Sequence, residues 1–241
     1  MPRLSRLERK VTGRVALVTG AASGMGRATA YLFADEGAKV GVLDLDPARV
    51  AAVVTEIEKA GGTACGFAVD VADPARVRAL PAEVEAKLGP LDILVNNAGV
   101  VRGGPIESEE YEEFWDFTLR VNLEAQVRLI RAFLPQLLRE RAGRIINIAS
   151  TEGLGATAGG SPYTVSKHGV VGLTRSLAEE LRADGIAVNA VCPGSVDTPM
   201  LQVGMPGAKP DMSPEDVAGV VLYLAAEAPA ALTGSCVDVF G

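Results

Sequence analysis

Cysteine and histidine are scarce in this sequence, positive charge is in deficit, and long apolar runs are missing. Cys65, Cys192 and Cys236 stand far apart and form no CxxC pair, which argues against a metal ribbon or a disulfide framework. Each sits in a strand-like apolar run, so all three are expected as buried, reduced thiols of a cytoplasmic protein. The one histidine, His168, adjoins Lys167 but points elsewhere on its helix, and is expected to be structural. No metal site is expected. Lysine and arginine number 23 against 30 aspartates and glutamates, and a net charge of −7 argues against nucleic acid as a main partner. No apolar run reaches the roughly 18 residues of a membrane span. Met1–Lys10 is basic but has no apolar segment of the secretory type, so residues 1–12 are expected as a flexible arm. No repeat, low-complexity tract or linker interrupts the chain. The expectation is one domain over 1–241.

What is present is a regular alternation. Short apolar runs suited to buried parallel strands occupy 15–19, 39–44, 63–69, 92–95, 144–149, 186–191 and 236–239. Helical stretches lie between them, including long ones over 109–139 and 163–183. Pro135 is a candidate kink or break in the first of these. The pattern implies right-handed βαβ units: an α/β, doubly wound parallel sheet of about seven strands with helices on both faces.

The chemistry concentrates in 150–167, STEGLGATAGGSPYTVSK. Ser161-Pro162 reads as an N-cap and first-turn proline, so Tyr163 should open a helix. Tyr163 and Lys167 are then i and i+4 and share a face. A free phenol has a pKa of about 10, and a nearby ammonium lowers it. Such a tyrosine can pass a proton to or from a substrate oxygen. Ser150 is placed to hold the same oxygen. Without other motifs, the pair reads as an exposed helical pair; the upstream serine and the glycine motif reverse that reading.

Gly20, Gly24 and Gly26 fall between a strand and a helix with the spacing G-x-x-x-G-x-G. Missing side chains let the backbone approach a pyrophosphate at the helix N-terminus, and Ser23 can add a hydroxyl. Asp44 ends the second strand, followed by Leu45. An acid there accepts hydrogen bonds from ribose hydroxyls and repels a 2′-phosphate, so NAD is expected over NADP. Arg27 should point along its helix rather than supply a cation. Asp70-Val71 could border the adenine. Asn96-Asn97-Ala98-Gly99 would let a cofactor lie over the strand ends. Each of these also fits a plain turn.

Together these motifs resemble the short-chain dehydrogenase/reductase family. The resemblance covers Thr12 to Gly241 and rests on TGAASGMG at 19–26, NNAG at 96–99, Asn122, Ser150, YTVSK at 163–167 and PG at 193–194. It implies a one-domain Rossmann fold and a hydride transfer between NAD and a secondary alcohol or ketone. Tyr163 then resembles the acid/base, Ser150 the residue orienting the substrate oxygen, and Lys167 the residue that binds the nicotinamide ribose and lowers the tyrosine pKa. Asn122 resembles the asparagine that holds a relay water. Gly20, Ser23, Met25 and Asn97 resemble cofactor contacts, with Gly99 beside them, and Val196 and Thr198 resemble contacts to the carboxamide. A homotetramer, or else a dimer, is implied too, and the apolar positions of the two long helices exceed one buried face.

Two features depart from the family pattern. Met25 replaces the usual isoleucine. Gly204, Pro206, Gly207 and Pro210 disfavour a helical lid over 200–212. A non-catalytic NAD-binding regulator, or epimerase or dehydratase chemistry on the same scaffold, are the alternatives. Substrate contacts are expected from 101–106, 151–158 and 199–212, with Glu152 and Arg102 as polar members, and suit an uncharged, moderately hydrophobic alcohol or ketone.

Overall fold

The computed structural model describes residues 11–241. Seven parallel strands form one sheet in the order β3-β2-β1-β4-β5-β6-β7. They are β1 Val15–Thr19, β2 Lys39–Asp44, β3 Thr63–Ala68, β4 Ile93–Asn96, β5 Arg144–Ile148, β6 Ala187–Pro193 and β7 Cys236–Val239. The central strands are buried on both faces, as their unbroken apolar runs require. β1 pairs with both β2 and β4, so the chain reverses direction across the sheet at this point. The crevice outside the strand ends at such a reversal is where open α/β sheets take ligands.

Helices α1 Gly24–Asp35, α2 Pro47–Lys59 and α3 Pro74–Leu88 follow the first three strands. The second and third open on the same tetrapeptide, Asp-Pro-Ala-Arg. Asp46 accepts from the backbone N–H groups of Ala48 and Arg49, and Asp73 from those of Ala75 and Arg76. Two cores result. One, around Phe33, lies under α1; the other, around Phe133, lies on the opposite face of the sheet.

Several sequence expectations need correction. The helix expected over 109–139 is two helices, α4 Tyr111–Leu119 and α5 Ala125–Leu137, joined by a π-helical turn at Arg120–Glu124. Pro135 causes no break and lies inside α5. Helix α6, Ser161–Leu181, starts earlier than expected, with Gly160 as its cap residue. The Ser161 hydroxyl makes no cap and instead meets the Tyr111 hydroxyl at 2.6 Å. The glycines and prolines of 200–212 do not prevent a short helix, α7 Pro199–Gly204. Thr198 caps it through Leu201 N–H, and the disfavoured residues lie at its end and beyond. The last helix, α8 Pro214–Leu222, has the expected Ser213 cap with Asp216 reciprocating.

Of the expected arm, residues 1–10 lie outside the described residues. Val11 is buried, and the Thr12 hydroxyl donates to the Glu36 carbonyl, so these two residues of the expected arm belong to the domain. Only Cys192 is fully buried; Cys65 and Cys236 are partly exposed. They sit on the two edge strands, β3 and β7, which have a neighbour on one side only.

Candidate active site

The site is built at the C-terminal ends of β1, β4, β5 and β6. Its first half is a cleft of about 330 Å³ lined by Gly20, Ser23, Gly24, Met25, Asp44, Leu45, Asp70, Val71, Asn97, Gly99 and Thr198 among others. Gly20 and Gly24 both have positive φ, +64° and +49°, which L side chains rarely adopt. A Cβ on Gly24 would meet the Thr198 methyl at 2.9 Å. Gly26 does not line the cleft. It lies beneath the turn, where a Cβ would be 2.1 Å from the Gly20 carbonyl oxygen, so its role is to let α1 pack against the turn.

Ser23 precedes α1 with an extended backbone, and its hydroxyl makes no capping bond. It is therefore available to a ligand at the helix N-terminus. Asn97 is not: its side-chain amide donates to the carbonyls of Thr19 and Gly20 at 2.8 and 3.2 Å. The Thr19 hydroxyl accepts from Asn97 and Ala98 N–H in return. Asn97 thus stitches the end of β1 to that of β4 through its side-chain nitrogen and lines the cleft. Asp44 accepts from Ala22 N–H at 2.9 Å and Leu45 N–H at 2.7 Å, which leaves carboxylate lone pairs facing the cleft. Asp70 closes its turn through Ala72 N–H at 2.8 Å. The Arg27 guanidinium lies over the Tyr31 ring, along the helix as expected. A glycine-built helix terminus, a free hydroxyl and a ribose-height carboxylate fit a nicotinamide dinucleotide.

The second half is a cavity of about 670 Å³ that shares Met25, Thr198 and Met200 with the first. Ser150, Glu152, Tyr163 and Val196 line it. Ser150 lies two residues beyond β5, is hydrogen-bonded to the Tyr163 phenol, and accepts from Glu152 N–H at 3.2 Å. Burial pushes the phenol above its ordinary range; the Ser150 hydrogen bond opposes this, and the Glu152 carboxylate adds to it. Lys167 is buried, and its Nζ donates to the Ile148 carbonyl at 2.8 Å. That nitrogen lies 5.5 Å from the centre of the Tyr163 ring. The lysine shares the tyrosine's face as expected, but it engages the ring and the β5 backbone, not the phenol oxygen. Burial pulls its ammonium down to about 8, with Cys192 opposing.

Asn122 is fully buried in the π-helical turn. Its side chain accepts from Val100 N–H at 2.8 Å and donates to the Val100 carbonyl at 2.9 Å and to Ser166 Oγ at 3.1 Å. The inserted residue of the π turn is what aims it at both partners. Gly99 packs against it: a Cβ there would sit 3.4 Å from Asn122 Oδ1. Val196 is buried and pairs with Met212 in an isolated bridge. His168 is exposed and its Nδ1 meets the Thr164 carbonyl, outside the site.

Some functional residues were not legible in the sequence. Phe114 and Gly160 also line the second cavity. Thr157 and Thr164 hold Glu152, and no spacing rule links a loop threonine to a helix threonine. Gly104 N–H bonds the Gly159 carbonyl at 2.8 Å, joining two loops far apart in sequence.

This arrangement can bind a dinucleotide and move a proton at a substrate oxygen beside it. Comparison with known proteins identifies the family. The short chain dehydrogenase family matches residues 14–206. A protein assigned as the ketoacyl reductase of the monensin polyketide synthase of Streptomyces virginiae is 41% identical, covering 95% of this chain and 97% of that one. The 3-oxoacyl-acyl-carrier-protein reductase FabG of Thermotoga maritima is 35% identical, covering 96% of this chain and 98% of its own. A crystal structure from Beutenbergia cavernae, assigned as an NAD(P)-dependent gluconate 5-dehydrogenase and holding NADP at low occupancy, superposes with a TM-score of 0.86 at 35% identity over 96% of both chains. The chain belongs to the short chain dehydrogenase family of oxidoreductases.

Proposed function

We propose that this protein is an NAD-preferring oxidoreductase that interconverts a ketone and a secondary alcohol, with Tyr163 as the acid/base. Ser150 and Tyr163 line one cavity beside the dinucleotide cleft, with buried Lys167 over the Tyr163 ring and Asn122 bonded to Ser166 on the same helix, and this arrangement carries the reading. A binding regulator has no use for a buried ammonium under a phenol, and charging that ammonium is costly. The bound nicotinamide supplies or accepts the hydride. Ser150 orients the substrate oxygen, and Tyr163 donates to it in reduction or takes its proton in oxidation. Lys167 holds the tyrosine and the end of β5 in register. Asn122 fixes the Val100 segment against α6, and its water-holding role rests on the family resemblance.

Ketone reduction is favoured as the substrate chemistry because two relatives are a ketoacyl reductase by assignment and by name. The apolar members of the cavity, among them Val101, Phe114, Leu201 and Met205, suit a moderately hydrophobic chain. For the cofactor, the B. cavernae structure favours NADP and Asp44 favours NAD. We give the carboxylate more weight, since it is part of this chain. Absorbance at the NADH band with a panel of ketones and alcohols tests the reaction. No change with any of them supports the regulator or a non-redox reaction instead. We also propose a homotetramer; light scattering that finds only a 25.0 kDa particle at micromolar concentration overturns it.

A further inference from the structure

Among the described residues, the Glu152 carboxylate is the one acidic side chain lining the substrate cavity. Its two oxygens are both engaged, and by different parts of the chain. Oε1 accepts from the Thr157 hydroxyl at 2.6 Å and Oε2 from the Thr164 hydroxyl at 2.7 Å. Thr157 belongs to the glycine-rich loop that forms one wall of the cavity. Thr164 follows Tyr163 directly on α6. The backbone N–H of Glu152 in turn donates to Ser150 Oγ. One residue therefore touches the substrate-orienting serine, the cavity wall and the helical turn that carries the acid/base.

We propose that Glu152 is a positioning residue for the Tyr163 phenol: it locks the 151–160 loop onto α6, and its charge sets the pH range over which the phenol holds its proton. The proposal rests on the acid/base reading of Tyr163 given above. Electrostatics supports it, because a neighbouring carboxylate disfavours a second negative charge on the phenolate oxygen. The other groups around Tyr163 are accounted for. Lys167 lies over its ring, with Cys192 of β6 behind the lysine. Ser150 bonds the phenol and is neutral. From the π-helical turn, Asn122 is neutral and bonds Ser166. From α4, Tyr111 bonds Ser161. Arg102 lines the cavity, but its guanidinium lies over Phe117. Glu152 is thus the charged side chain whose field acts on the phenol.

The clamp and the charge can be separated. Glu152→Gln keeps an acceptor for one threonine and a donor toward the other, but removes the charge. Thr157→Val with Thr164→Val keeps the charge and removes the clamp. The pH dependence of kcat/KM for ketone reduction should lose its alkaline limb at lower pH in Glu152→Gln. At a fixed pH on that limb this variant should be several-fold slower than wild type. The double threonine variant should leave the limb in place and raise KM. A second readout needs no turnover: tyrosinate absorbance during alkaline titration of the NAD complex, taken as the difference from Tyr163→Phe, should move to lower pH in Glu152→Gln. An unmoved alkaline limb and unmoved tyrosinate titration overturn the proposal. If wild type reduces no ketone, the acid/base reading falls with it, and the tyrosinate titration still shows whether Glu152 acts on the phenol.

Discussion

The two halves of the cleft are made of different material. The dinucleotide half is made of backbone: two positive-φ glycines, a helix terminus, and an asparagine whose side-chain N–H groups stitch two strand ends. The substrate half is made of side chains from loops that meet only in three dimensions, and its rim is exposed. Val203 and Met205 on that rim are 70% and 51% exposed, whereas Lys167 at the base is 4% exposed. The difference teaches where tolerance lies. Backbone geometry admits almost no substitution, the base must keep its chemistry, and the rim is free to vary.

The largest effect should come at the base. Tyr163→Phe should lose about 10²–10⁴-fold in turnover while cofactor titration shows unchanged NAD affinity, because the proton path is lost and the first half is untouched. Appreciable turnover would erase the distinction between the halves. Gly26→Ala should strike the backbone half. Its Cβ would lie 2.1 Å from the Gly20 oxygen and 2.5 Å from Asn97 Nδ2, neither of which can yield. A loss of about 1–3 kcal/mol or more in denaturant unfolding is expected, with weakened cofactor binding. Gly219→Ala, which meets nothing within 4 Å, is the control and should be neutral or stabilising.

Lys167→Met should separate function from stability. The folded-state pKa of about 8 lies below the ordinary lysine value of 10.5, so charging this lysine costs the fold. The cost is fully present below about pH 8 and is relieved as pH rises toward 10.5. The variant should therefore melt higher than wild type at pH 7, by an amount worth about 1–3 kcal/mol, while losing activity. That advantage should fade on the alkaline side; an advantage that grows with pH would refute the assignment.

Asp44→Ala should narrow the preference for NAD over NADP by about tenfold, one charge-assisted hydrogen bond's worth. Equal affinity of the wild type for the two cofactors would sink the reading. The smallest effect belongs to the rim. Val203→Ala should change unfolding by less than about 0.5 kcal/mol, since the side chain is already in solvent. Backbone amides of 200–212 should exchange faster than those of β5 and β6 in protein without substrate, and equal protection would show a fixed lid.

The strands were legible because the central ones are buried on both faces, and a run such as Val15-Ala-Leu-Val-Thr19 has no other stable home. The Asp46 and Asp73 caps and the Ser213 capping box were equally local. The π turn at Arg120–Glu124 was not, because one inserted residue leaves the apolar period nearly intact. It is fixed by Asn122 reaching Val100 and Ser166, 22 and 44 residues away. The helix at 199–204 was missed for the opposite reason. Its local composition is poor, but Thr198 caps it, Leu201 is buried, and Gly204 fits against Val101.

Sequence by itself therefore determined the alternation of strands and helices, the glycine turn and the Ser-Tyr-Lys set, because each is governed by neighbours within a few residues. Only the tertiary structure decided that Gly26 supports the turn from beneath, that Asn97 spends its amide on β1, and that Lys167 faces a ring rather than an oxygen. It alone placed Glu152 between two threonines. Those outcomes depend on which backbone carbonyls and hydroxyls a buried polar group can reach, and that is settled by the packing of distant segments, since burial leaves no water to satisfy them otherwise.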